Sequence, residues 1–226
     1  MLRYGRLGLL PISTIACVAA SERVVGLTYD DGPDPTFTAP VLDALAAHNQ
    51  KATFFVMVTR AQARPDLIRR IIAEGHEVAL HGIDHTRLTD LPIRRVVALI
   101  RAARDRLAQI TGQAPTLFRP TYGAQTLPQL LATRALGMEV IVWSAWARDW
   151  ENESADVIAA RAAGALHQGG FVLLHDASGD GVGADGPLDR GLATQLLLQR
   201  MDEKGYTSKT ISQLLASYPA VRTFWT

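Results

Sequence analysis

The sequence predicts an α/β protein, a closed or nearly closed barrel of six or seven parallel strands with helices between them. Three observations point there. Short apolar runs alternate with amphipathic helical stretches along the whole chain, with no linker and no repeat of fixed period. Parallel strands require such crossovers, and that many units in about 200 residues suit a barrel better than an open sheet. Ionisable residues also collect just after the apolar runs, the end at which such barrels carry their chemistry.

Taken in order, Val24-Val25-Gly26-Leu27 reads as a buried strand, with Asp30 and Asp31 just beyond it and Gly32-Pro33 as a turn. Pro40, Val41, Leu42, Leu45 and Ala46 share one face of a helix that ends near His48-Asn49. Ala52 to Val58 is a continuous apolar run, hence a buried strand. Pro65 opens a helix whose stripe is Leu67, Ile68, Ile71 and Ile72, and Gly75 stops it. Glu77 to Leu80 is a short strand. Pro92 to Ile110 is a long amphipathic helix with arginines toward solvent, closed by Thr111-Gly112.

The pattern continues to the end of the chain. Thr116 to Phe118 is strand-like, Leu127 to Leu136 helical, Met138 to Trp143 a buried strand, and Ser154 to His167 a helix. Phe171 to Leu174 is a strand, Gly191 to Lys204 a helix, Tyr206-Thr207 a brief strand and Ile211 to Ser217 a last helix. Residues 1–20 stand apart. Arg3 and Arg6 precede a mostly apolar stretch that resembles a secretory leader, but Pro11, Ser13 and Thr14 interrupt it and it is too short to span a bilayer. The alternative, preferred here, is an extension with one strand over Ser13 to Val18, followed by a single catalytic domain over 21–226. Export and a cytoplasmic location both stay open.

At 226 residues, 48% apolar and 20% charged, the chain can bury one large core and is not disordered. A net charge of +1, with no lysine or arginine block, argues against a nucleic-acid partner. The single cysteine, Cys17, excludes an intrachain disulfide and a thiolate metal cluster.

Five strand ends then deliver ionisable groups to one rim: Asp30-Asp31, His81 with His85, Arg119, Asp149, and His175-Asp176. Adjacent side chains diverge along a strand, so Asp30 and Asp31 are not expected to share one solvated patch, and carboxylates at a buried strand end call for counter-charge. A polar turn with a capping aspartate is the plain alternative. His81-Gly82-Ile83-Asp84-His85 spaces two imidazoles as metal-ligand pairs are spaced, by one helical turn or a tight loop. Asp31 would complete a His-His-carboxylate set with open positions; two surface histidines with a capping Asp84 are the alternative.

Hydrolysis at an open metal site needs a base for water and an acid for the leaving group. Asp30 is the natural base. His175 is the natural acid, since imidazole holds and releases a proton near neutral pH. Arg119 can pair with Asp30 and orient it, and Asp149 can pair with His175 and favour the imidazolium. A structural ion pair of Arg119 with Asp149 is the alternative. Of the tryptophans Trp143, Trp146 and Trp150, only Trp150 is assigned to substrate, because tryptophans near strand ends commonly pack in cores. The Gly/Asp-rich loop from Ala177 to Pro187 reads as a mobile rim loop, and His48, His167 and Cys17 receive no role.

Thr28-Tyr29-Asp30-Asp31-Gly32-Pro33, His81-Gly82-Ile83-Asp84-His85, Arg119-Pro120-Thr121-Tyr122-Gly123, Asp149-Trp150 and Leu173-Leu174-His175 resemble, in order and spacing, the five motifs of polysaccharide deacetylases. That is the chitooligosaccharide-deacetylase-like group, carbohydrate esterase family four, and the match spans about Val24 to Leu215. The resemblance implies a distorted (β/α) barrel of about seven parallel strands and a divalent metal on Asp31, His81 and His85. Zinc is the expected metal, with cobalt or nickel as alternatives. It implies Asp30 as base, His175 as acid, a Tyr122 backbone N–H for the oxyanion, and Trp150 and Leu173 lining the acetyl slot.

Two departures stand out: Gly82 replaces the family's usual Ser or Thr and removes a hydroxyl expected to brace the loop, and Thr121 replaces a proline before Tyr122. The expected partner is an acetylated glycan, deacetylated at nitrogen or at oxygen. A small non-sugar amide on the same barrel and a catalytically silent carbohydrate-binding domain are the competing readings.

Overall fold

The structure, a computed structural model, describes residues 13–151, 153–177 and 188–225. The rim loop expected over Ala177 to Pro187 lies, beyond Ala177, outside the described residues.

Strand β1 covers Thr14–Val18, β2 Val24–Asp30, β3 Ala52–Met57, β4 Glu77–Gly82, β5 Leu117–Phe118, β6 Glu139–Val140, β7 Ala145–Trp146 and β8 Phe171–His175. Two further short strands follow, β9 (Thr207–Ser208) and β10 (Ala220–Thr223). The main sheet runs β6-β5-β4-β3-β2-β8-β7, all parallel, with β9 added on β2. Laid flat, seven strands would span about 29 Å at their usual spacing. Yet β6 and β7, the two ends of that path, are separated in the chain only by residues 141–144, which reach about 17 Å at most. The sheet must curl until its edges approach, giving a distorted (β/α) barrel. Strand β1 bridges this gap: Ile15 pairs with Ile141, and Cys17 with Gly170 just before β8. Its other edge pairs antiparallel with β10.

The helices are α1 (Thr38–Ala47), α2 (Val58–Ala63), α3 (Pro65–Ala73), α4 (Ile93–Thr111), α5 (Leu127–Ala135), α6 (Ala155–Ala165), α7 (Arg190–Glu203) and α8 (Ile211–Ser217). Helix α4 shows the logic. Val96, Ile100, Ala103 and Leu107 recur every three or four residues and are buried, and Gly112 ends the helix in a left-handed conformation, φ 78°.

Some boundaries depart from expectation. Ile72 is 44% exposed, outside the α3 stripe, and α1 buries Ala44 while Pro40 and Ala46 face outward. Helix α2 carries no side-chain cap, and no capping residue announced it. The run Met138 to Trp143 does not form one strand. It pairs with β5 as a strand only through Glu139–Val140; the chain then leaves the sheet and, beyond the run, joins the opposite edge as β7. An apolar run cannot say which neighbours it will pair with.

Candidate active site

The carboxyl ends of β2, β4, β5, β7 and β8 open on one cavity of about 360 Å³. Asp30, Asp31, His81, His85, Tyr122, Trp150, Leu173 and His175 line it, and Arg119 and Asp149 lie behind its wall. Asp30 and Asp31 both reach this cavity, contrary to the alternation expected of a strand. Asp31 has left the strand with φ 77°, and that left-handed turn redirects its side chain toward the cavity Asp30 lines. Both are 3% exposed.

His81 sits on β4 itself, one position later than the sequence placed the strand end. His85 follows in a tight loop rather than a helical turn, in which Asp84 Oδ1 accepts from the Thr86 amide at 3.0 Å. The His81 ring is oriented by a 2.9 Å contact from Nδ1 to the Arg119 carbonyl. That oxygen can only accept, so Nδ1 carries the proton and Nε2 turns a lone pair inward. His81 Nε2 and His85 Nε2 each lie 3.3 Å from Asp31 Oδ1, a buried oxygen with no hydrogen-bond donor among the described residues. Two ligands about 2.1 Å from a shared zinc at a tetrahedral angle are about 3.4 Å apart. The donor set, the spacing and the unsatisfied buried oxygen all fit a divalent cation held by Asp31, His81 and His85.

Arg119 does not pair with Asp149. Its Nη1 donates to Asp30 Oδ1 at 2.7 Å and to Thr28 Oγ1 at 2.8 Å, while Nε and Nη2 reach the Ile141 and Val142 carbonyls. The guanidinium is fully buried, 4.1 Å above the Phe55 ring. Replacing it with leucine strands a buried carboxylate. Arg119→Leu is expected to lose about 3–5 kcal/mol of stability, measured by denaturant unfolding; an unchanged midpoint would refute this role.

On the other side, Asp149 Oδ1 meets His175 Nδ1 at 2.7 Å, and Oδ2 accepts from the His175 amide at 2.7 Å. Burial opposes charge on this imidazole, but Asp149, then Asp31 and Asp30, push its pKa up to about 9. Asp30 and His175 are paired positions on adjacent strands, so both face the cavity from neighbouring backbones.

Three features escaped the sequence reading. Arg190, the first residue of α7, donates to Asp149 Oδ2 at 3.0 Å and to the His175 carbonyl at 3.1 Å. Buried Asp176 accepts from Gly32 N and Thr38 Oγ1, and burial pushes it up to about 7, with Asp31 adding to that effect and the Thr38 bond opposing it. Its position after His175 was noted without a role. Trp143 and Trp146 line the cavity beside Trp150, so the tryptophans do not retreat to the core: Trp146 is 43% and Trp150 37% exposed. Tyr122 has φ 60°, a left-handed backbone of the kind that gathers at functional sites. Its ring lies 4.3 Å from that of His85 and under Arg87. Trp225 Nε1 donates to the adjacent Gly123 carbonyl at 2.8 Å and holds this turn from behind.

His48 pairs with Asp202 and His167 with Ser144; neither residue lines the cavity.

The sequence pattern of the polysaccharide deacetylase family matches residues 18–141. The chain is 39% identical over 158 residues to the chitooligosaccharide deacetylase of Bradyrhizobium sp. (strain ANU 289), covering 70% of this chain and 72% of that one. It is 32% identical over 197 residues to the peptidoglycan-N-acetylmuramic acid deacetylase PdaC of Bacillus subtilis (strain 168), covering 87% of this chain and 40% of that protein's length. A solved peptidoglycan N-acetylglucosamine deacetylase superposes with a TM-score of 0.80 at 30% identity, over 88% of this chain and 91% of the other.

Proposed function

Because the chain belongs to the polysaccharide deacetylase family, we propose that it is a metal-dependent hydrolase removing N-acetyl groups from an amino-sugar polymer or oligosaccharide. One observation carries this reading. A triad able to hold a cation, Asp31 with His81 and His85, lies between a buried carboxylate clamped by arginine and an imidazole clamped by aspartate, in a single cavity.

A divalent cation on Asp31, His81 and His85, zinc in the leading assignment, would polarise the acetyl carbonyl and acidify a bound water. Asp30 accepts the proton of the attacking water, and Arg119 fixes which carboxylate oxygen is free to do so. The backbone N–H of Tyr122 donates to the carbonyl oxygen as negative charge develops there. His175, held protonated by Asp149, delivers a proton to the departing sugar nitrogen, so the amine leaves neutral and acetate remains. Arg190 anchors Asp149 from the far side. Leu173 and Trp150 bound the slot for the acetyl methyl, and the indole faces offer apolar platforms for sugar rings.

The test is acetate release from N-acetylglucosamine oligomers and from peptidoglycan fragments, abolished by a chelator and restored by zinc, cobalt or nickel. Release from neither N- nor O-acetylated glycans under any of these metals would sink the reading. No described helix is long and apolar enough to cross a membrane.

A pH effect follows. The acid must be protonated to act, so kcat/KM should fall as pH rises through about 9, where His175 of the free enzyme loses its proton. In Asp149→Asn the neighbouring charge that raises this pKa is gone. Its alkaline limb should move to lower pH, and a limb that stays in place would exclude His175 as the group observed.

A further inference from the structure

The loop that carries His85 is packed only in part. Gly82, Ile83, Asp84 and Thr86 line a second cavity of about 120 Å³, bounded also by Thr121 and by Leu91, Arg95 and Leu99. Ile83 packs on the main core and the His85 ring on Tyr122; hydrogen bonds hold the rest of the loop. On the upstream side, the Ile83 carbonyl accepts from Thr59 N at 3.0 Å. On the downstream side, the Thr86 carbonyl accepts from Thr121 Oγ1 at 2.7 Å.

Thr121 is 1% exposed, so its hydroxyl is shielded from competing water. The same residue precedes Tyr122, which places the bond between the loop bearing a metal ligand and the turn bearing the oxyanion donor. Gly82 completes the picture. Its φ is 149°, which an L side chain rarely adopts, and a Cβ there would lie 3.0 Å from the Asp84 carbonyl and 3.7 Å from Thr121 Cγ2. The loop thus takes a path that excludes a hydroxyl-bearing residue at 82, while a hydroxyl arrives from 121, across the turn.

We infer that Thr121 is a positioning residue: its hydroxyl braces the His85 loop in place of one at position 82, and so sets metal affinity. The two departures in the sequence are then one exchange rather than two defects. This inference rests on the metal site proposed above, and its test separates the two.

The measurement is zinc affinity of the metal-stripped protein by competition with a chromogenic chelator, for the parent, Thr121→Val, Thr121→Ser and Asp31→Asn. Thr121→Val keeps the shape and loses the hydroxyl; it should bind zinc about 10-fold or more weakly, the range seen when supporting bonds behind ligands are removed. Thr121→Ser keeps the hydroxyl and should stay near the parent. Equal affinity of Thr121→Val and parent overturns the inference, as does a Thr121→Ser affinity as weak as that of Thr121→Val. If Thr121→Val does not fold, Thr121→Ala set against Thr121→Ser gives the same comparison. A parent that binds zinc no better than Asp31→Asn refutes the metal site itself.

Discussion

Asp30→Asn is expected to lower acetate release by about 10²–10⁴-fold, the usual worth of a positioned proton acceptor. Asparagine matches aspartate in shape but cannot accept the water's proton at that position. The change also removes the counter-charge of a fully buried guanidinium, so folding has to be considered. Arg119 keeps three other acceptors, the Thr28 hydroxyl and the Ile141 and Val142 carbonyls, and can still donate to the amide oxygen. Asp30→Asn should therefore fold and bind zinc, whereas Arg119→Leu, which leaves the carboxylate with no partner of comparable strength, should be the less stable of the two. Zinc content, thermal melting and turnover measured on the same preparation separate these effects. A folded, zinc-loaded Asp30→Asn that retains activity within a few-fold would remove Asp30 from the mechanism and favour a base elsewhere.

Asp31→Asn should lose both metal and activity. Asp31 is the one anionic member of the triad, and its Oδ1 is the point on which both imidazole Nε2 atoms converge at 3.3 Å. Neutralising it removes the charge that draws a dication into a site whose other two donors are uncharged. The cation's role in polarising the carbonyl is worth several kcal/mol, so activity should fall by about 10³-fold or more, at 1.36 kcal/mol per factor of ten. Excess zinc should not restore it, although it should restore the chelated parent. Metal analysis of the purified variant gives the direct reading. Retention of stoichiometric zinc with full turnover would show that the cation, if required, sits elsewhere.

The glycan-binding alternative predicts otherwise on both counts. A silent binding domain would hold its sugar equally well in Asp30→Asn and Asp31→Asn, with no acetate produced by the parent. The arrangement of Asp30 with Arg119 and of His175 with Asp149 and Arg190 argues for chemistry: binding a sugar requires none of these buried charge pairs, and burying charge carries a desolvation cost.

Much of this molecule could be read without coordinates, because the information was local. Strand–helix alternation, the helix stops at Gly75 and Gly112, and the H-x-x-x-H spacing depend on residues close together in the chain. The motif residues announced which side chains would gather at one rim. What could not be read depends on partners distant in sequence. Whether Arg119 meets Asp30 or Asp149 is decided by which strands are neighbours. That the strand over Met138–Trp143 stops after Val140, and that the chain rejoins the opposite edge only at Ala145–Trp146, follows from barrel closure, which no single run encodes. Arg190 opens a helix and looks like a surface charge until the fold lays it against Asp149.

Backbone handedness was hidden in the same way: nothing in the order Asp30-Asp31 reveals that a left-handed turn at Asp31 will bring both carboxylates to one cavity. The sequence by itself determined the class of fold and the cast of reactive groups, since hydrophobic period and residue chemistry are properties of the chain. Only the tertiary structure decided the pairings, and with them that Gly82 and Thr121 belong together, because energies of contact exist only between groups that folding has brought within reach.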